Sequence, residues 1–106
     1  MSLPSALFEC LEIDLGKIPL PHAENLMLHI STQRHQGRLP DALILAAHPK
    51  TVSLGLRDSR SPWPRDLLVS PGRLAREGIA LVRSVRGGGV TFHWPGQLVC
   101  YPILAL

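Results

Sequence analysis

Three consecutive glycines, Gly87, Gly88 and Gly89, interrupt the apolar C-terminal part of the sequence between an arginine and a short alternating run. Residues without a Cβ atom allow backbone conformations that other residues avoid, and they let the backbone lie flat against a ligand. A second turn, at residues 94–97, follows almost at once. The segment therefore predicts short strands joined by turns, with a recognition loop at the glycines rather than a linker.

The hydrophobic pattern predicts short strands along the whole chain. Residues 51–56 are expected to pair with residues 41–47 as a hairpin across the His48-Pro49-Lys50 turn, and residues 90–93 are expected to pair with residues 97–104. Gly16 is expected to break the first strand. The predicted strands are residues 7–15, 41–47, 51–56, 79–83, 90–93 and 97–104.

Two helices are expected between these strands. Residues 21–36 place apolar side chains at three- and four-residue spacing, with Pro21 as the first helical residue and Gly37 as the stop. Ser70 is expected to cap a second, short helix that ends at Gly78. Residues 57–69 have prolines and no clear period, so they predict a loop.

The last stretch, residues 98–106, has no charged side chain, and both faces of its predicted strand are apolar. Such a strand is stable only when other layers cover it or its edges are paired. We therefore expect the covering layer to come from residues that this sequence does not include.

Composition indicates a single small domain of 106 residues with ample apolar content for a core. The two cysteines, Cys10 and Cys100, cannot build a disulfide framework, and no leader pattern opens the sequence. Glycines, prolines and polar residues interrupt the uncharged stretch, so it does not predict a membrane span. A cytoplasmic protein with reduced thiols is expected.

The net charge of +3 is concentrated in the second half of the sequence. It indicates either a solvated arginine-rich loop or a surface that attracts an acidic partner. Aromatic residues do not alternate with the basic ones, and no recognised nucleic-acid-binding motif is present. Nucleic acid is therefore not supported as that partner. The arginines concerned are Arg57, Arg60, Arg65, Arg73 and Arg76.

Around the glycines, two side chains are candidates for contact with a ligand. Arg86 could clamp a carboxylate or phosphate, or pair with a nearby acid, and the residues alone leave both open. His93 could hydrogen-bond a substrate or be a structural histidine, and Thr91 would share its side of a regular strand. We expect Cys10 and Cys100 to be small buried hydrophobes and not nucleophiles. The remaining histidines have no metal-ligand spacing, so no metal is expected.

These residues resemble the signature of the LipB-type lipoyl(octanoyl) transferases, in the biotin/lipoate A/B protein ligase superfamily. The pattern reads RGG-x-x-T-x-H-G-P-G-Q-L-V-x-Y-P-[IL], and the resemblance extends over residues 8–106, including residues 43–55 and 78–85. One departure is Trp94, where the family has glycine. The matching residues are Arg86, Gly87, Gly88, Thr91, His93, Pro95, Gly96, Gln97, Leu98, Val99, Tyr101, Pro102 and Ile103.

The resemblance implies an α+β fold: a partial mixed β-sheet with flanking helices, like the N-terminal half of the ligase catalytic domain. Residues 1–106 would form a single incomplete domain, because the family's nucleophilic cysteine and activating lysine lie in the half after the YPI strand. No catalytic residue is therefore expected in this chain. The substrate-binding residues implied are Arg86, Gly87, Gly88, Gly89, Val90, Thr91, Phe92 and His93.

The activity implied is transfer of an octanoyl group from acyl carrier protein to a lysine of lipoyl domains, in 2-oxoacid dehydrogenases or the glycine cleavage H protein, without a cofactor. A separate polypeptide with the C-terminal half is a further expected partner, whereas nucleic acid and membranes are not. Two alternatives stay open: a half-domain of an ATP-dependent lipoate or biotin ligase, and a non-catalytic remnant that binds a carrier or lipoyl domain.

Overall fold

The computed structural model describes residues 9–58 and 68–105, which form six strands, two α-helices and one 3-10 turn. The chain divides into two compact units: residues up to 46 together with those from 98 onwards, and residues 47–97. The elements are β1 (Cys10–Lys17), α1 (Leu20–His35), β2 (Asp41–Ala47), β3 (Thr51–Leu54), the 3-10 turn (Leu56–Asp58), α2 (Pro71–Arg76), β4 (Ala80–Arg83), β5 (Val90–His93) and β6 (Leu98–Ile103).

In the first unit, a three-stranded sheet of order β1-β2-β6 accompanies α1. The predicted helix is confirmed: it contains Pro21 in its first turn and is followed by Gly37 with a φ of 74°. Asp41, the first residue of β2, links this strand to α1 and to the residues that follow β6. Its Oδ1 accepts hydrogen bonds from Arg34 Nε at 2.8 Å and from Ala105 N at 3.1 Å. The Arg34 and Ala105 hydrogen bonds lower the pKa of the Asp41 carboxyl.

The first strand differs from its prediction at Gly16. β1 runs through this glycine to Lys17, with a φ of 63° at Gly16, whose N–H donates to Asp14 Oδ1 at 2.9 Å. The carboxylate of Asp14 thus supplies a local acceptor at the point where a break was expected. The beginning of the predicted strand, at residues 7 and 8, lies outside the described residues.

In the second unit, the sheet order is β4-β3-β5, with β3 parallel to β4 and antiparallel to β5. The core contains Val52, Leu54 and Leu74, and three half-buried residues pack against it: Val69, Ile79 and Val90. Leu74 comes from α2, whose cap is confirmed, since Ser70 Oγ accepts from Arg73 N at 3.2 Å. All four residues of β3 are buried, as expected for the central strand of the sheet.

Both predicted hairpins are wrong. β2 and β3 belong to different sheets, because β4 and β5 occupy both edges of β3. β5 pairs with β3 and β6 lies beside β2, although the turn between β5 and β6 exists, with Gln97 N donating to Trp94 O at 3.1 Å. The apolar pattern marks each strand, but several partners satisfy the same pattern.

No residue of β6 is buried, and its side chains alternate between exposed and half-buried. Cys100 is therefore exposed, as is Cys10, and the prediction that both thiols are buried is wrong. β6 is apolar in sequence and β1 carries Glu12, Asp14 and Lys17, yet no residue of either strand is buried in the described part of the chain. Within residues 9–58 and 68–105, no helix combines the length and the apolarity that crossing a membrane requires.

Candidate functional site

The glycine loop, residues 86–89, is docked against the end of β3 by its carbonyl groups. The N–H groups of Gly55, Leu56 and Arg57 donate to three loop oxygens in succession. The acceptors are Gly89 O at 2.9 Å, Arg86 O at 2.9 Å and Gly88 O at 3.1 Å. These lengths are those of ordinary backbone hydrogen bonds, so the loop is held along its whole length.

The guanidinium of Arg86 bonds to the same loop. Its Nη1 donates to Gly87 O at 2.9 Å, and its Nη2 donates to Gly89 O at 2.9 Å. Nη2 also donates to Ser53 O at 2.9 Å and to Ser53 Oγ at 2.7 Å. The sequence left open whether Arg86 binds an anionic substrate group or pairs with a nearby acid. Among the described residues, the structure records no carboxylate partner for Arg86. The arginine binds oxygens of the protein's own loop and strand instead.

The carbonyl groups and the N–H groups of the loop therefore differ in their hydrogen bonding. All four carbonyl oxygens of residues 86–89 accept hydrogen bonds, from β3, its extension or Arg86. The N–H groups of Gly87, Gly88 and Gly89 donate to no acceptor in the part of the chain that the structure describes. Successive unpaired backbone N–H groups form a concave donor set that suits a carbonyl oxygen or an anion.

Three glycines lie where a side chain would meet backbone strain or a neighbouring atom, each for a different reason. Gly88 has a φ of 84°, which a residue with a side chain rarely adopts. A Cβ atom on Gly55 would overlap Gly88 O and lie 2.8 Å from Gly87 O. At Gly89, the guanidinium of Arg57 occupies the position of a Cβ atom. The close approach of loop and strand thus depends on Gly55 as much as on the glycine run.

The structure separates the predicted site residues of β5 onto two faces of the sheet. Thr91 lies opposite Ser53 and His93 opposite Thr51, whereas Phe92 lies opposite Val52. Because side chains alternate along a strand, Thr91 and His93 share one face, as the sequence predicts. Val90 and Phe92 belong to the other face, where Val90 packs against the apolar core.

His93 has a second histidine beside it that sequence reasoning did not select. The ring centroids of His48 and His93 are 5.2 Å apart with an interplanar angle of 87°, an edge-to-face contact between two buried rings. Burial lowers the pKa of His93, and the nearby His48 and Arg86 lower it further. The His-Pro turn was the only sequence signal at His48, and it marked a turn rather than a site.

The lowered pKa of His93 predicts a pH-dependent stability of the second unit. The unfolded chain binds a proton at His93 near its ordinary pKa of about 6.5, at a pH where the folded chain does not. The free energy of unfolding should therefore fall as the pH decreases through this value and stop falling below the lowered pKa. Urea unfolding between about pH 5 and pH 8 measures this dependence. His93→Gln should reduce it, and an unchanged dependence in this variant would contradict the prediction.

Trp94, which replaces a glycine of the family signature, is half-exposed beneath Lys50. The ammonium of Lys50 lies 5.0 Å from the centroid of the indole ring, a cation–π contact.

Of the arginines predicted to attract an acidic partner, Arg73 pairs with Glu77 at 3.2 Å on exposed α2. Arg60 and Arg65 lie outside the described residues, so that surface stays a prediction.

Neither cysteine adjoins a candidate metal site. Among residues 9–58 and 68–105, no group of three or more histidine, cysteine or acidic side chains could hold a metal ion. The donor set of the site is therefore the backbone of the glycine loop together with Thr91 and His93. It can bind and orient a carbonyl compound, while a nucleophile is not part of it.

Solved structures share this fold. A T. acidophilum protein solved with bound lipoic acid superposes with a TM-score of 0.54 at 21% identity, over 85% of this chain and 35% of that one. P. falciparum LipL1 in complex with lipoate gives a TM-score of 0.54 at 14% identity, over 85% and 29% of the two chains. At such identities the likeness shows the fold alone, and it confirms the predicted α+β class.

Sequence comparison then identifies the family. Residues 21–106 match the lipoyl protein ligase A/B catalytic domain, and the chain belongs to this family. The octanoyltransferase of Chloroflexus aurantiacus is 42% identical over 92 residues, which are 87% of this chain and 40% of the relative. That of Maridesulfovibrio salexigens is 40% identical over 94 residues, 89% and 42% of the two lengths. The chain thus spans about 40% of the length of these relatives.

Proposed function

We propose that this chain is the acyl-binding part of an octanoyltransferase that acts in lipoate biosynthesis in the cytoplasm. The supporting observation is the hydrogen bonding of the glycine loop, which leaves the N–H groups of Gly87, Gly88 and Gly89 without acceptors in the described part of the chain. Relatives named octanoyltransferase, at about 40% identity, support the choice of acyl group. Residues 1–106 would be one incomplete catalytic domain.

The reaction needs a thioester, a thiolate and an amine. The thioester is octanoyl acyl carrier protein, whose carbonyl oxygen would lie against the loop N–H groups. A cysteine thiolate attacks the carbonyl carbon and the carrier leaves as its thiolate. The lysine amine of a lipoyl domain then attacks the acyl-cysteine, forms the amide and releases the cysteine. Loop N–H groups are effective here because they stabilise the oxyanion that forms at each attack.

Within this proposal, the segment of residues 86–93 forms the site of the acyl donor. The loop residues Gly87, Gly88 and Gly89 offer N–H groups to the carbonyl oxygen. Thr91 and His93 line the same face of β5, where a neutral His93 can exchange hydrogen bonds with the donor. Val90 and Phe92 would contribute through the apolar face behind the loop. By resemblance to the family, the cysteine and its activating lysine would belong to the part that this chain does not span.

A transfer assay tests this proposal. With octanoyl acyl carrier protein and an apo lipoyl domain, the chain alone is expected to give no octanoylated lysine. A hybrid, in which the chain replaces the matching 92-residue part of the Chloroflexus aurantiacus octanoyltransferase, is expected to restore transfer. The control is the same hybrid without the nucleophilic cysteine of the added part. Turnover by the chain alone, or a folded hybrid that does not transfer, would overturn the proposal.

A second candidate is a half-domain of an ATP-dependent ligase, which the fold shared with lipoate-bound structures favours. The PGQLVCYPI segment favours the octanoyltransferase instead, because the related ATP-dependent ligases tend to carry S-G-G-G followed by H-D-x-G-N. Adding lipoate and ATP in place of the acyl carrier separates the two. Binding of carrier or lipoyl domain by the hybrid without turnover in either assay would support the third reading, a non-catalytic remnant.

A further inference from the structure

We infer that Ser53 and Gly55, at the end of β3, are positioning residues of the glycine loop: Ser53 acts through an inward-facing Arg86, and Gly55 acts on the loop directly. In this assignment Arg86 is a positioning residue as well, and the loop N–H groups rather than its guanidinium contact the acyl donor. The inference rests on the proposed function only for the identity of the ligand. The positioning itself is a property of the free chain.

Ser53 supplies two of the oxygens that fix Arg86. Its side chain is buried, and both its carbonyl oxygen and its Oγ accept from Nη2, at 2.9 and 2.7 Å. The same nitrogen donates to Gly89 O at 2.9 Å, while Nη1 donates to Gly87 O at 2.9 Å. One planar guanidinium thus joins β3 to both sides of Gly88. Lysine cannot reproduce this, because its ammonium lacks the rigid fork of donors.

Gly55 provides the second half of the support. Its N–H donates to Gly89 O at 2.9 Å, and its missing side chain leaves room for the loop. A Cβ atom there would overlap Gly88 O and lie 2.8 Å from both Gly87 O and Arg86 Nη1. Because two of these neighbours are backbone oxygens of the loop, only a shift of the whole loop would relieve the contact. Gly55 therefore sets the distance at which the loop lies from β3.

These contacts also explain why Arg86 is a poor clamp for a substrate. Its recorded bonds already go to four oxygen atoms of the protein, and two of those oxygens are carbonyls of the loop itself. Because the loop carbonyls are already bound in this way, the unpaired N–H groups of the loop are the donors that remain for a substrate. The guanidinium that holds the loop is positively charged, which strengthens the attraction of these N–H groups for a carbonyl oxygen.

Hydrogen exchange of the 106-residue chain, followed by NMR, tests the inference without any ligand. The amides of Gly55, Leu56 and Arg57 should be protected, and those of Gly87, Gly88 and Gly89 should exchange freely. Arg86→Lys and Ser53→Ala should each lower protection at the first three amides by about tenfold, the loss expected when a hydrogen bond from a charged group is removed. Ser53→Ala is the milder change, and it decides the test if Arg86→Lys fails to fold.

The matched control is Arg73→Lys on exposed α2, which should leave protection at all six amides unchanged. Amides in the β3–β4 ladder should also keep their protection in the test variants, since a general loss of stability would lower them too. Loss of protection at Gly55, Leu56 and Arg57 alone supports a local positioning role. Unchanged protection there in Ser53→Ala, or in folded Arg86→Lys, would overturn the inference.

A binding measurement on the same variants separates positioning from substrate contact. Octanoyl pantetheine, a small thioester, should bind about tenfold more weakly to each variant that loses protection, since the loop no longer holds its donors in place. If Arg86→Lys lost binding with protection intact, Arg86 would be a clamp and the inference would be wrong. If the unchanged chain did not bind octanoyl pantetheine, the proposed function would fail, and the exchange data would still decide the positioning role.

Discussion

Replacing Gly55 with alanine is expected to displace the glycine loop and to lower the free energy of unfolding by about 1–3 kcal/mol, the usual cost of forcing atoms into a filled site. The added Cβ atom would overlap Gly88 O and lie 2.8 Å from both Gly87 O and Arg86 Nη1. The hydrogen bond from Gly55 N to Gly89 O would lengthen or break as the loop moves. Binding of an acyl thioester should be lost with it.

Gly87→Ala is the matched control for this prediction. It makes the same chemical change within the loop that Gly55 contacts, at a position where a Cβ atom would meet nothing within 4 Å. Urea unfolding of both variants and of the unchanged chain provides the comparison. Gly55→Ala should have the lower midpoint, and Gly87→Ala should differ little from the unchanged chain. Equal midpoints for the two variants would contradict the close approach of the loop to β3.

Leu54→Ala is expected to have the largest effect on stability, about 2–5 kcal/mol, as for other large-to-small changes in a core. Leu54 is 1% exposed and packs with Val52 and Leu74 in the only cluster of the second unit's described core. It is also the last residue of β3, so a loss of packing there would loosen the strand end that carries the loop. A small domain has a net stability of about 5–15 kcal/mol, so such a loss is severe.

Leu68→Ala serves as its control, because Leu68 is 95% exposed. Removing the same atoms from an exposed leucine forgoes almost no buried area, so its unfolding midpoint should stay close to that of the unchanged chain. Thermal or urea unfolding followed by circular dichroism measures both. If the two variants unfolded at the same midpoint, the assignment of Leu54 to a packed core would be wrong.

Local features of the fold could be predicted because their signals are local. Pro21 lies in the first turn of α1, Gly37 follows its end, and Ser70 caps α2, since each acts within one turn of a helix. Strand pairing could not be predicted in the same way. The apolar pattern of β3 is satisfied by any neighbouring strand, and only the assembled sheet shows that β4 and β5 occupy both of its edges.

The candidate site was predicted in position but not in arrangement. The glycine run and the alternation in β5 are visible in the sequence, and so is the shared face of Thr91 and His93. The direction of the Arg86 side chain is not, because its partner Ser53 lies 33 residues earlier in the chain. The contact of His93 with His48 depends equally on a distant strand pairing. Such long-range contacts follow from topology rather than from local pattern.

The central claim is that the N–H groups of Gly87, Gly88 and Gly89 receive the carbonyl oxygen of an acyl thioester. Titration of the isotope-labelled chain with octanoyl pantetheine, followed by amide NMR, tests it directly. We expect saturable shifts at these three amides and at the amide of His93, and little change at exposed α2. Binding that left the three glycine amides unshifted, or saturable shifts confined to other parts of the chain, would contradict it.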